Sequence, residues 1–200
     1  MPPRIYLAGP DVFFPDAALV AESKKAICAE YGLTGVFPTD TADSEDFSHL
    51  SHDDPALGPA IAARCEAHMR QADGLIANLT PWRSASADVG TVYELGYMRA
   101  LNKPVLAYTN DSRPYHQRVL EWMNEAPVWD ASLSVWRTPD GYLIESFTPP
   151  MADNVMLDHA VMHTEPRQIL RGTLLPGVPN YYNDLAAFKR AVEYMASLLG

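Results

Sequence analysis

The carboxylate of Glu94 is the side chain whose placement in the sequence most clearly suggests chemistry. It lies in the stretch DVGTVYELGYMRAL (88–101) and shares a helical stripe with Gly90, Tyr97 and Leu101. Residues three and four apart lie on one face of a helix, so a charge occupies a position where a core-facing or cleft-facing side chain is expected. Such a carboxylate is either exposed or ion-paired, or it acts on a bound molecule. Gly90, one turn earlier, leaves room for something to approach it.

The residues around Glu94 predict a strand, a polar loop, a helix and a second strand. Residues 74–79 (GLIANL) are a short apolar run, typical of a strand buried on both faces of a parallel sheet. Asp88 is a good N-cap for a helix that begins near Val89. The stretch KPVLAY (103–108) predicts the next strand. A helix that crosses the carboxyl ends of parallel strands lies where open α/β sheets bind ligands.

Three motifs resemble the nucleoside 2-deoxyribosyltransferase family. They are YLAGP at 6–10, the pair Ala72-Asp73, and DVGTVYELG at 88–96, which fits DxGTxxExG and is the most specific. The resemblance covers residues 4–109 and resumes around NVML at 154–157. It implies a flavodoxin-like α/β fold. It also implies exchange of the base on a 2′-deoxynucleoside through a covalent deoxyribosyl-enzyme intermediate.

The same resemblance assigns catalytic roles. Glu94 matches the nucleophile, and Tyr6 matches a tyrosine whose hydroxyl orients that carboxylate. Asp73 and Asp88 both match carboxylates near the nucleobase. Cleavage of an N-glycosidic bond needs an ionised carboxylate at the sugar carbon and a proton donor at the base, so two acids must hold opposite protonation states. Which of Asp73 and Asp88 manages the base proton stays open, since Asp73 also fits a local cap and Asp88 a helix cap.

Five further residues are predicted to bind substrate. Gly9 and Pro10 end the first strand at a turn, and Phe13 either lines a base-binding cleft or packs under its own loop. Asn154 and Met156 match family positions that reach into the sugar site, often from a neighbouring subunit. Without the resemblance they read as a helix N-cap and a core methionine. With it, the site is incomplete in a monomer, and a homo-oligomer is expected.

Composition argues against several other classes of function. A net charge of −10 argues against a nucleic acid polymer as partner, because phosphate backbones are bound by clustered Lys and Arg. Cys28 and Cys65 are isolated thiols that suit a reducing cytoplasm and give no zinc pattern. His49 and His52 in the acidic loop lack a third defined ligand, so we predict no metal and no cofactor. No signal peptide or membrane span is recognised, and a cytoplasmic location is expected.

We therefore expect a single domain over residues 1–200 with a flavodoxin-like three-layer sandwich and a five-stranded, mostly parallel sheet with an inserted hairpin. The remaining predicted segments are strands 4–8 and 32–37, helices 17–31, 60–71 and 113–124, a hairpin pairing 135–138 with 142–147, a helix opening after Pro150, a Gly- and Pro-rich connection over 167–179, and a terminal helix from about Asn183. The predicted activity is transfer of 2-deoxyribose between free nucleobases and 2′-deoxynucleosides with net retention. The alternatives are an N-glycosidase that acts on deoxynucleosides or deoxynucleotides with the same glutamate, and a non-catalytic nucleoside-binding module.

Overall fold

A five-stranded parallel sheet forms the centre of the molecule, in a computed structural model that describes residues 1–40, 47, 50–124 and 126–200. In chain order the strands are β1 (Arg4–Ala8), β2 (Thr34–Val36), β3 (Gly74–Asn78), β4 (Val105–Asp111), β5 (Val128–Asp130), β6 (Val135–Arg137), β7 (Leu143–Ile144) and β8 (Leu170–Leu174). The main sheet has the order β2-β1-β3-β4-β8, and every neighbouring pair is parallel. Counted within this sheet, that is the flavodoxin-like strand order.

Helices cover both faces of the sheet. In chain order they are α1 (Ala17–Glu30), α2 (Leu57–Gln71), α3 (Val89–Ala100), α4 (Tyr115–Met123), α5 (Val155–Val161) and α6 (Ala186–Leu199). Side chains such as Met69, Leu95 and Leu157 bury α2, α3 and α5 against one face, whereas α1 and α6 bury residues such as Ala21 and Phe188 against the other. The predicted three-layer α/β sandwich is confirmed. In the described part of the chain, no helix has both the length and the apolar character of a membrane span.

The residues between α4 and α5 form a second, antiparallel sheet rather than a hairpin alone. β6 pairs with β7 around Asp140 and Gly141, as predicted, and β5 adds a third strand at the other edge of β6. Trp129 and Trp136 lie directly opposite each other, and their rings meet edge to face at 5.1 Å. Cross-strand aromatic pairs of this kind stabilise small sheets.

The last strand of the main sheet lies where the sequence predicts only a connection. β8 falls within 167–179 and pairs with β4, with a shift of register between Thr109 and Asp111. A Cβ on Gly172 would lie 2.9 Å from the Cα and the carbonyl oxygen of Asn110. The prediction of a connection over this whole segment was therefore wrong, because Gly172 permits close strand packing at an irregularity instead of marking a turn.

Candidate active site

Glu94 and Tyr6 are joined by a short hydrogen bond. Tyr6 lies in the middle of β1, where its ring is fully buried, and its hydroxyl donates to Oε1 of Glu94 at 2.6 Å. The carboxylate lies on the side of α3 that packs over β1 and β3 and is only partly exposed. No Lys or Arg among the described residues forms an ion pair with it. Of the two readings of Glu94, an ion-paired surface residue does not fit this geometry.

The surroundings of Glu94 shift the pKa of its carboxyl group to near neutral pH. Burial raises the pKa of the carboxyl group, the hydroxyl of Tyr6 lowers it, and the negative charge of Asp88 raises it, with a result of about 7. Burial and the neighbouring charge of Glu94 also raise the pKa of Tyr6 well above its ordinary value. Tyr6 therefore stays protonated and remains a hydrogen-bond donor to the carboxylate.

Asp88 caps the helix that carries Glu94, as the sequence predicts. Its Oδ2 accepts hydrogen bonds from the backbone N–H and the hydroxyl of Thr91 at 3.0 and 3.1 Å. A Cβ on Gly90 would lie only 3.1 Å from the same oxygen. The glycine thus gives the Asp88 carboxylate room beside the first turn of α3, where the helix N-terminus favours a negative charge.

Asp73 lies at the amino-terminal end of the strands, opposite to the end at which Gly9 and Asp88 lie. Its carboxylate accepts from the backbone N–H of Arg4 at 2.8 Å, and its own N–H donates to the carbonyl oxygen of Arg4 at 2.7 Å. These bonds close the amino-terminal ends of β1 and β3, whereas Gly9 and Asp88 follow the carboxyl ends. The structure therefore gives Asp73 a local pairing role and does not bring it together with Glu94 and Asp88.

Gly9 and Pro10 turn the chain sharply after β1. Pro10 begins a single 3-10 turn, Pro10–Phe13, and a Cβ on Gly9 would collide with the carboxylate of Asp11 and lie 2.8 Å from Cβ of Asn78. Asp11 is buried and accepts from Nζ of Lys24 at 2.6 Å and from Nδ2 of Asn78 at 3.0 Å. This buried network fixes the turn against the end of β3.

The aromatic residues of this turn meet a tryptophan that the sequence analysis did not single out. Phe13 stacks almost parallel on Trp82, with ring centroids 6.1 Å apart, and it is 56% exposed. Phe14 is buried and packs against both Trp82 and Tyr182. Phe14 thus packs under its own loop, whereas the half-exposed Phe13 stays accessible at the end of the sheet where the strands terminate. The available signal was an aromatic residue in the loop that follows a buried strand.

Asn154 and Met156 begin α5, which packs beside α3. The Oδ1 of Asn154 accepts from the backbone N–H of Met156 at 3.0 Å, and its Nδ2 donates to Glu145 at 2.8 Å. The Met156 side chain is 67% exposed, so it is not the core methionine of the alternative reading. Within the described chain, no hydrogen bond joins either residue to Glu94 or Asp88.

Cys65 is a second neighbour of Tyr6 that the sequence did not reveal. Its thiol, on α2, lies close enough to the Tyr6 hydroxyl and to Glu94 to interact with both electrostatically. Burial raises the pKa of this thiol, and the charge of Glu94 adds to that rise. Cys65 therefore stays a neutral thiol beside the two catalytic candidates.

Within residues 1–40, 47, 50–124 and 126–200, no three His, Cys, Asp or Glu side chains are grouped so that they could hold a metal ion. His49 lies outside the described residues, and His52 is exposed. Strand β1, helix α3 and the loops after β1 and β3 carry the Glu94 carboxylate with its tyrosine donor, the Asp88 carboxylate and the stacked pair of Phe13 and Trp82. Such a set can attack a carbon centre and bind a flat heterocycle.

Comparison with known proteins adds an independent observation. Residues 5–156 match the family model described as nucleoside 2-deoxyribosyltransferase. An uncharacterized protein of Schizosaccharomyces pombe is 34% identical over 140 residues, which cover 70% of this chain and 64% of that protein. The chain thus spans only about 64% of the length of this curated relative.

Two solved structures are also similar. A 2-desoxiribosyltransferase from Leishmania mexicana has 28% identity and a TM-score of 0.58, and the match covers 96% of this chain and 98% of that one. A 2-deoxyribosyltransferase from Bacillus psychrosaccharolyticus has 19% identity and a TM-score of 0.45, with coverage of 60% and 81%. The Leishmania likeness extends over nearly the whole of both chains.

Proposed function

The chain belongs to the nucleoside 2-deoxyribosyltransferase family, and we propose on this premise that it transfers 2-deoxyribose from one nucleobase to another through a covalent deoxyribosyl-Glu94 intermediate. The observation that carries the proposal is the hydrogen bond of 2.6 Å between the Tyr6 hydroxyl and the Glu94 carboxylate. It holds one carboxylate oxygen in a fixed direction and leaves the other free to attack. Two successive displacements at one carbon give net retention of configuration.

The first displacement forms one bond and breaks another. The free oxygen of ionised Glu94 bonds to C1′ of the deoxyribose while the bond between C1′ and the base nitrogen breaks. The electron pair of that bond leaves with the base. A proton that the Asp88 carboxyl group carries to the base nitrogen neutralises it, so Asp88 ends this step ionised. A sugar without a 2′-hydroxyl suits this step, because no electron-withdrawing group opposes the positive charge that develops on the ring.

The second displacement reverses the first with a new base. A nitrogen of the acceptor base attacks C1′, the bond to Glu94 breaks, and the carboxylate is regenerated. The acceptor base nitrogen gives its proton to the Asp88 carboxylate, which restores the starting state. The stacked Phe13 and Trp82 offer a flat apolar surface for both bases, since their rings are parallel and Phe13 is exposed. Asp88 is the favoured proton carrier because it lies within electrostatic range of Glu94, whereas the Asp73 carboxylate is bonded to the backbone N–H of Arg4.

A neighbouring subunit is part of the proposal. We expect Asn154 and Met156 to contact the sugar in the site of a second copy of the chain, with Asn154 bonding a sugar hydroxyl. The 67% exposure of Met156 supports this, because an apolar side chain at a helix start gains most when another surface covers it. The active enzyme is then a homo-oligomer that binds 2′-deoxynucleosides and free bases, with no metal or other cofactor.

Incubation with deoxyinosine, with and without adenine, tests the proposal. Formation of deoxyadenosine together with hypoxanthine supports the transferase. Hypoxanthine release that adenine does not change supports the N-glycosidase, in which water takes the place of the acceptor base. Binding of deoxyinosine without any product indicates a nucleoside-binding module and contradicts the proposal. Mass spectrometry of the protein after a donor-only incubation then checks for the mass of a deoxyribosyl group on the peptide that contains Glu94.

A further inference from the structure

We infer that the buried ion pair between Arg118 and Asp153 positions Asp88 and Asn154 for the reaction. The inference rests on the proposed function, in which Asp88 manages the base proton and Asn154 contacts the sugar. Arg118 and Asp153 touch no reacting atom in that scheme. They are therefore positioning residues, which act through the segments that they hold.

Arg118 ties α4 to two separate stretches of backbone. Its side chain is 2% exposed. The guanidinium donates from Nε to the carbonyl oxygen of Ala85 at 2.9 Å, and from Nη2 to the carbonyl oxygen of Ala152 at 2.7 Å and to Oδ2 of Asp153 at 3.1 Å. The rigid fork of a guanidinium holds several acceptors in one geometry, which the flexible ammonium of a lysine does not.

Asp153 makes the same connection from the other side. Its Oδ1 accepts from the hydroxyl of Ser86 and from the backbone N–H of Asn154, the latter at 2.8 Å. Its Oδ2 accepts from the backbone N–H of Ala87 at 3.2 Å and from Arg118. These donors compensate a carboxylate that is only 1% exposed, as a buried charge requires. The last residues before the N-cap of α3 are thus held by a side chain that lies next to the N-cap of α5.

One ion pair therefore anchors both functional segments. Segment 85–87 ends directly before Asp88, and segment 152–154 ends in Asn154. Asp88 and Asn154 both cap helices, so a shift of the preceding backbone moves the caps and the groups that they present. A displacement of about 1 Å at a catalytic group can reduce a rate about 100-fold. Loss of the ion pair is expected to misplace both residues while it leaves every reacting group present.

The double variant Arg118→Met with Asp153→Leu separates positioning from folding. Replacing a buried ion pair by apolar side chains of similar size is often neutral for stability, whereas removing one partner alone leaves a buried charge. We expect the midpoint of thermal unfolding to stay within about 5 °C of the wild type. We expect kcat/KM for base exchange to fall by about 10-fold to 100-fold.

The pH profile gives a second readout that a purely structural role would not change. The titratable groups facing Glu94 in the described chain are Tyr6 from β1, Cys65 from α2 and Asp88 at the start of α3. The charge of Asp88 raises the pKa of Glu94, so a loosened Asp88 lets that pKa fall. The acid limb of kcat/KM then shifts to lower pH in the double variant. A smaller fraction of folded enzyme lowers the rate without moving the limb.

A matched control comes from the small sheet. Arg137→Met with Asp130→Leu removes another Arg–Asp pair, joined at 2.8 Å, whose side chains hydrogen-bond neither functional segment. This variant should keep the wild-type kcat/KM and pH profile. Should the test variant fail to fold, Ser86→Ala and Arg118→Lys take its place, because Ser86→Ala leaves the ion pair intact and Arg118→Lys keeps its charge. Both should lower kcat/KM and shift the acid limb.

The outcomes distinguish the inference from the proposed function. Wild-type kcat/KM together with a wild-type pH profile, in the folded double variant or in both single variants, overturns the positioning role. Wild-type protein that forms no product from deoxyinosine refutes the proposed function itself, and the inference falls with it. Reduced kcat/KM with a shifted acid limb in the test variants alone supports the inference.

Discussion

Glu94 is subject to two opposing influences. Burial and the charge of Asp88 raise its pKa, and the hydrogen bond from Tyr6 lowers it, so that the pKa lies at about 7. A nucleophilic carboxylate must be ionised, yet removal from water makes it more reactive. At neutral pH the carboxyl group is therefore divided between its protonated and ionised forms, and small changes around it alter the ionised fraction.

Replacement of Glu94 by glutamine should abolish turnover. The amide keeps the shape of the side chain but cannot form the ester with C1′, so we expect kcat to fall about 1000-fold or more. Chromatographic measurement of base exchange checks this, with Glu66→Gln as the control. Glu66 also hydrogen-bonds a tyrosine, Tyr93, but lies on the surface between α2 and α3. A Glu94→Gln enzyme that retains a tenth of wild-type activity would exclude Glu94 as the nucleophile.

In the proposed reaction, we expect the Tyr6 hydroxyl to set the pH at which base exchange begins. Because only ionised Glu94 attacks in the proposed reaction, kcat/KM should rise with pH through a midpoint near its pKa of about 7. Tyr6→Phe removes a hydrogen bond that favours the ionised form, so the pKa of Glu94 rises and the midpoint moves to higher pH. Rates measured from pH 5 to 9 check the direction. A midpoint that moves down or stays fixed would contradict the role assigned to this bond.

Asp73 and Asp88 can be separated by the same conservative change. Asp88→Asn keeps a good N-cap but removes the group proposed to carry the proton, so kcat should fall about 100-fold with little change in stability. Asp73→Asn alters the hydrogen bond to the backbone N–H of Arg4, at the amino-terminal end of the strands. We therefore expect kcat to stay within about 2-fold and the free energy of unfolding to fall by about 1 kcal/mol. Steady-state rates and urea titrations measure both. A larger effect on kcat at Asp73 than at Asp88 would reverse the assignment.

At the level of elements, the sequence predicted most where its signals were local. Apolar runs located β1, β3 and β4, and Asp88 gave the start of α3 at Val89. The cluster of Tyr6, Asp88 and Glu94 could be anticipated only through the family motifs. Their spacing along the chain does not reveal that β1 and α3 are in contact.

The features that were not predicted depend on contacts between distant positions. Cys65 reaches Tyr6 because α2 packs over β1, and Trp82 meets Phe13 because two loops follow adjacent parallel strands. The strand β8 contains Gly172 and lies at an edge of the sheet, so its pairing can be recognised only once the partner strand is known. Such information is absent from composition and periodicity.

The irregular pairing of β4 and β8 predicts a site sensitive to one methyl group. Gly172→Ala places a Cβ 2.9 Å from backbone atoms of Asn110, so we expect the free energy of unfolding to fall by about 1–3 kcal/mol. Gly58→Ala serves as the control, because its Cβ would meet nothing within 4 Å and alanine favours the helix. Urea denaturation compares the two. Equal stability of both variants would argue against close packing at this irregularity.

At the scale of the whole molecule, the proposed sharing of sites between subunits has a specific consequence. Glu94→Gln and Asn154→Ala should each inactivate the enzyme, but in a mixed dimer one site keeps both native residues. Co-refolding equal amounts should therefore restore about a quarter of wild-type activity, if subunits pair at random with two-fold symmetry. Base exchange before and after mixing measures the recovery. A mixture as inactive as its components would mean that each chain uses its own Asn154.

The order of elements along the chain also bears on how the protein is made. Every strand of the main sheet precedes α6, yet Phe188, Val192 and Met195 of that helix are fully buried against strands that include β4. During synthesis, the apolar face of the sheet that α6 covers stays exposed to solvent until the residues of α6 have emerged from the ribosome. Nascent chains in that state are prone to stick to one another, so ribosome stalling before α6 should leave an aggregating product even though Tyr6, Asp88 and Glu94 have all been translated.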